Sequence, residues 1–264
     1  MKHQSLQDEL LKLAESQAKS FLPKDAKDDV YFLPHKPWEF GQAKGIKEHH
    51  EPHGPMERAA FQTAQFLRGL LDNIAGYEPV PVHAGKKIQK DVAQAVSCVT
   101  TAQAARAQHV RSMWKGEPDN GWCRALLLES DNERVHLLTA LKITHANRLV
   151  RMGIITLQSV VSPFSFIAYV MCPKYCHRLY EYLQEESIKI YTQCIEDIEE
   201  GSMDLWKNQV APTIAKKYWH LKDDATVEDV LKAIRADEDK HRCTHHMLAN
   251  AKYVVNLDPT KLPQ

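Results

Sequence analysis

Residues 126–136, LLLESDNERVH, and residues 234–242, IRADEDKHR, carry one short pattern twice: a glutamate and, three residues on, a histidine, Glu133 with His136 and Glu238 with His241. In a helix, positions three apart share a face and lie about 4.5 Å apart along the axis. A carboxylate and an imidazole so placed can reach one cation. Two such pairs on facing helices supply half of the di-iron carboxylate donor set of helical bundles. The other half is one glutamate from each of two further helices.

The rest of the chain is suited to helices. Of 264 residues 44% are hydrophobic and only 10 are Gly, while β-branched alternation is scarce, so an all-α chain with a sizeable core is expected. Residues 1–20 read as a short amphipathic helix with Leu6, Leu10, Leu13 and Ala14 on one side. Prolines and histidines make 21–55 an extended arm, whose His49, His50 and His53 read as solvated. Helices are expected over 56–77 and 86–114, from the Pro118-Asp119-Asn120 break to about Ala146, over 173–201, and from a Thr226/Asp229 capping box to about Val255. This divides the chain into an arm (1–55), a helical domain (56–255) and a tail (256–264).

Lys and Arg (34) balance Asp and Glu (34), which gives nucleic acid no electrostatic foothold. Six cysteines without a C-x-x-C pair read as free thiols in a reducing compartment. Asp8, Glu9 and Glu15 argue against a transit peptide at the start of the chain; a presequence already removed or a cryptic signal remain alternatives. The most apolar stretch, 149–172, is interrupted by Gln158, three serines and Pro163, so it is too polar for a confident membrane span. It reads as an in-plane helix at a bilayer surface, with Arg148 and Arg151 at its start, or as an ordinary core helix.

NERVH and RADEDKH at this spacing resemble the alternative oxidases, non-haem di-iron quinol oxidases bound to one leaflet of a membrane. Further matching positions are Arg68, Asp72, His109, Gly121-Trp122, Asn132, His177, Tyr191, Tyr218-Trp219, Asp237 and His246. The resemblance implies a ferritin-like four-helix bundle with two additional membrane-facing helices, an N-terminal arm and a two-fold homodimer. It also implies a quinone pocket near Arg68 and Asp72, and a redox-active Tyr191.

Two ligand positions depart from that pattern. Where the family has glutamates on the second helix and in an L-E-E-E-A segment, this chain has Gln94 and, in LQEES, Gln184. Glu185 and Glu186 cannot take over, because each step turns the helix by about 100°. Asp91 and Glu181, one turn earlier, are conceivable displaced ligands. Two carboxylates leave about two uncompensated positive charges on a ferrous pair, each costing several kcal/mol when buried.

The expectation is therefore iron absent or substoichiometric. Glu133, His136, Glu238 and His241 would be satisfied as buried Glu–His pairs, with Gln94, Gln184, Asn132, Asp237 and Arg134 around them. On this reading the chain is a catalytically degenerate accessory subunit of a mitochondrial inner-membrane respiratory complex, on the matrix side. The alternative is an active ubiquinol oxidase with altered ligation, reducing oxygen to water.

Overall fold

Small residues on one helix and large rings on its neighbours set how the helices approach. The computed structural model describes residues 49–74, 83–119, 121–201 and 203–250, and the side chains of 71–74, 83–96, 204 and 205 lie outside that description. The elements are α1 (Pro55–Ile74), α2 (His83–Lys115), α3 (Trp122–Ile143), α4 (Arg148–Met171), α5 (Pro173–Glu199), the short α6 (Asp204–Lys207) and α7 (Thr213–Tyr218), and α8 (Val227–Asn250). Among the described residues the only β pairing is one bridge, Val210 with Thr226. The expected N-terminal helix and most of the arm, like the tail, lie outside the described residues.

Four long helices, α2, α3, α5 and α8, form the bundle. Cys123 reaches the carbonyl of Ala105 and Cys98 that of Ser130, so α2 and α3 run antiparallel. Glu181 meets His246 at one end of the α5–α8 pair and Arg235 meets Thr192 further along, so these two are antiparallel as well. Ala104, Ala105 and Ala107 of α2 let Trp122, Leu126, Tyr169, Tyr180 and Leu248 close over them in one buried cluster. Burying a side chain of that size contributes roughly 1.5–3 kcal/mol.

The breaks are chemically specified. Asp119 accepts the backbone N–H of Cys123 at 2.7 Å, Asn147 that of Val150 at 3.0 Å, and Asp229 that of Thr226 at 2.9 Å. Gly121 takes a left-handed φ of 84° at the head of α3.

Two more helices flank the bundle. Ala60 and Ala64 of α1 pack on Tyr182 of α5. The apolar stretch forms one continuous helix, α4, through Pro163. It lies along α2, with Gln103 donating to Ser162 at 2.8 Å and Arg106 over the ring of Phe166 at 5.2 Å. Only Ile154 and Tyr169 of α4 are buried, while Leu149, Met152, Ile155, Phe164, Ile167 and Met171 are exposed.

Candidate metal centre

The two Glu/His pairs converge because α3 and α8 run antiparallel. His241 Nδ1 lies 3.1 Å from Glu133 Oε1, and His136 Nδ1 lies 3.2 Å from Glu238 Oε1. All four side chains are buried. Donor atoms of Glu133, Glu238 and His241 lie within 4.8 Å of one another, and His136 Nδ1 is 3.4 Å from Glu133 Oε2.

Glu133 is the hub. Its Oε1 accepts from Ser97 Oγ at 2.7 Å, Gln184 Nε2 at 3.0 Å and the His241 imidazole. Its buried Oε2 accepts no hydrogen bond. Burial alone would raise its pKa, but the neighbouring His136 and His241 imidazoles overcome that and hold the carboxyl well below its ordinary range. Glu238 moves the other way, raised by burial and by the Glu133 charge. Burial pulls both histidines down, yet their acidic neighbours prevail. Asp237, Glu133 and Glu238 hold His136 well above its ordinary value, and Glu129 and Glu133 raise His241 to about 9.

Asp237 fixes the back of His136. Its Oδ2 lies 3.1 Å from His136 Nε2 and accepts from Asn132 at 2.9 Å and from the Trp219 indole at 2.8 Å. Trp219 also stacks on the imidazole at 5.7 Å between ring centres. Asp237 thus sets which nitrogen of His136 faces inward, as a partner behind a metal-binding imidazole does.

Several expectations are corrected by the structure. Arg134 is not part of this polar core; it turns outward and pairs with Asp131 at 2.6 Å. Glu181 does not swing toward the centre; its carboxylate is held by Arg178 and by His246. His50 is only partly exposed and pairs with Glu57 at 3.2 Å, while His49, though exposed, pairs with buried Glu185 at 2.6 Å. Glu186 faces away from the centre and pairs with Arg68. Tyr191 is buried on α5, seven residues beyond Gln184. The side chains of Gln94, Asp91 and Asp72 lie outside the described residues.

Ser97 was the residue missed. It stands three positions after Gln94, so the spacing that pairs Glu133 with His136 would have found it. A second polar cluster, one turn along, was also missed. His245 gives its Nε2 proton to Glu129 at 2.8 Å, which leaves its Nδ1 to accept from His177 Nδ1 at 2.9 Å. Burial, with His245 alongside, pushes His177 well below its ordinary value.

The donor set fits a divalent cation. Two buried carboxylates and two imidazoles face one volume, and a buried carboxylate oxygen there lacks a hydrogen-bond donor. Two carboxylates match the charge of one such ion.

A family model described as "Alternative oxidase" matches residues 41–250. The chain is 32% identical over 231 residues to "Alternative oxidase, mitochondrial" of Cryptococcus neoformans, covering 79% of this chain and 58% of that one. It is 34% identical over 223 residues to the protein of the same name from Emericella nidulans, covering 80% and 63%. It is 32% identical over 221 residues to "Ubiquinol oxidase, mitochondrial" of Mangifera indica, covering 84% and 66%. The chain thus spans about six-tenths of the length of these relatives. With a match over most of its length and with both Glu/His pairs buried face to face, the chain belongs to the alternative oxidase family.

Proposed function

We propose that the protein is a mitochondrial, iron-dependent ubiquinol oxidase with altered ligation, in which two quinols are oxidised to quinones as one oxygen is reduced to two waters. The observation that carries this reading is the convergence of Glu133, Glu238 and His241, with His136 alongside, around a Glu133 Oε2 that no hydrogen-bond donor satisfies. The names borne by the relatives support it.

Those four side chains would hold the metal, with Gln184 offering an amide oxygen if its side chain turns over. Bound there, iron supplies the redox chemistry between quinol and oxygen. The chain's own part is to exclude water and to hold charge. Asp237 and Trp219 lock His136, and Ser97 anchors Glu133. The converging donors give no support to expecting iron absent. Tyr191 serves as redox partner and Arg68 with Asp72 as the quinol pocket. The exposed apolar face of α4, with Arg148 and Arg151 at its head, lies on the inner membrane from the matrix side.

A second reading is favoured by Gln184 donating to Glu133: a catalytically degenerate member serving as an accessory subunit of a respiratory-chain complex. Iron per chain in the purified protein, together with quinol-dependent, cyanide-insensitive oxygen uptake, separates the two. At least one iron and measurable uptake support the oxidase. Near-zero iron, no uptake and migration only within a large assembly on native gels sink it.

A further inference from the structure

A second donor cluster lies one turn away from the centre just described, where the segment before α1 crosses α5 and α8. His50, Glu181 and His246 bring one donor atom each within 4.8 Å of one another. Glu181 is fully buried, and His50 and His246 are partly exposed, so an ion could enter from solvent.

Each donor has its other polar atom already held. His50 Nε2 lies 3.2 Å from Glu57, His246 Nε2 lies 2.8 Å from Asn250, and Glu181 Oε2 accepts from Arg178. That leaves the two Nδ1 atoms and Glu181 Oε1, already 2.6 Å from His246 Nδ1. Partners behind each ligand, fixing its orientation, are what a metal-binding imidazole or carboxylate has. Arg178 places one positive charge here, with Nη1 3.3 Å from His246 Nδ1 and Nη2 2.9 Å from Glu57. Glu57 and Glu181 together outnumber it, so the cluster keeps net negative charge when the imidazoles are neutral.

We propose that His50, Glu181 and His246 form a second metal site, for zinc or a similar divalent ion of the first transition row, which clips the segment preceding α1 onto α5 and α8. Two imidazoles, one carboxylate and a water make a four-coordinate set that suits Zn²⁺. None of the three residues belongs to the Glu133–Glu238 centre.

The test uses the full chain, stripped with chelator and reloaded with Zn²⁺ alone. Zinc per chain is measured after gel filtration for the parent, His50→Ala, His246→Ala and the double variant Glu133→Gln with Glu238→Gln. Proteolysis of the 49–54 segment is followed with and without zinc, and circular dichroism checks each fold. The site predicts that His50→Ala and His246→Ala each lose one zinc relative to the parent, while the double variant retains that zinc. Zinc should slow cleavage of the segment in the parent but not in His50→Ala. If His50→Ala, whose residue precedes the first described helix, holds as much zinc as the parent, the proposal is overturned. It is equally overturned if the double variant alone abolishes zinc binding.

Discussion

Gln184 gives its amide N–H to Glu133, Nε2 to Oε1 at 3.0 Å, so a neutral carboxamide acts here as a donor to the central buried carboxylate. A glutamate could not do this, because two ionised carboxylates that close in a dry interior repel, and one of them would have to take up a proton. The glutamine therefore stabilises the metal-free centre as a neutral partner, and it removes one charge that a second ion would need.

Gln184→Glu should accordingly destabilise the metal-free protein by about 2–4 kcal/mol. The melting temperature falls by roughly 5–15 °C for a domain of this size. Ferrous iron should recover most of that loss, and Gln94→Glu added to it should raise iron per chain above the parent's value. Calorimetry paired with metal analysis checks both. If the double variant takes up no more iron than the parent, the two glutamines are not what limits the site.

Asp237 holds three donors on one oxygen, so Asp237→Asn should be costly although it is nearly isosteric. The amide oxygen can still face these donors but carries no charge, so the hydrogen bonds weaken and His136 loses the charge that raises its pKa. A loss of about 3–5 kcal/mol in urea unfolding is expected. An unchanged midpoint would show that Asn132 and Trp219 find other partners.

The metal-free protein should lose stability on the alkaline side. His241 titrates at about 9 in the folded chain and at its ordinary 6.5 when unfolded, so between these values only the folded chain carries the proton. Its contribution is complete below 6.5 and disappears as the pH rises through 9, a loss of about 3 kcal/mol at most. His136, also raised, acts in the same direction. Glu133, held low, contributes above about 4.5 and ceases to as the pH falls toward its folded value. Unfolding followed from pH 5 to 9.5 should show the alkaline decline in stripped protein. Bound metal, which takes the imidazoles unprotonated, should abolish it.

The bundle was legible because its evidence is periodic and local. The Glu133/His136 and Glu238/His241 spacings, the Thr226/Asp229 box and the Pro118–Asp119 break need only a few residues each, and the structure places helices where they indicate. Part of what escaped depends on contacts between distant segments. His50 among prolines and charges reads as solvated, and nothing nearby in sequence reveals Glu181 and His246 beneath it. Arg134 had a nearer partner in Asp131 than the core could offer. Glu129 and His245 stand four residues outside the two Glu/His pairs, on the same faces, and were within reach of the helical arithmetic applied to those pairs.

The exposed face of α4 leads to the last prediction. Ile155 is 62% and Phe164 69% exposed, so replacing either with Asp removes few packing contacts and should leave the fold intact. If this face rests on a bilayer, each change places a charge among acyl chains and forfeits the apolar area it had buried there, roughly 1.5–3 kcal/mol. Partition onto vesicles containing anionic lipid should then fall about 10- to 100-fold per substitution. The helix is long and apolar enough to cross a membrane, but its bonds to α2 through Gln103 and Ser162, with Arg106 over Phe166, tie one side of it to the bundle. High-salt or carbonate washing should therefore release more of the Ile155→Asp and Phe164→Asp proteins than of the parent. Unchanged flotation of both variants would mean that this apolar face meets protein, as an accessory subunit would require.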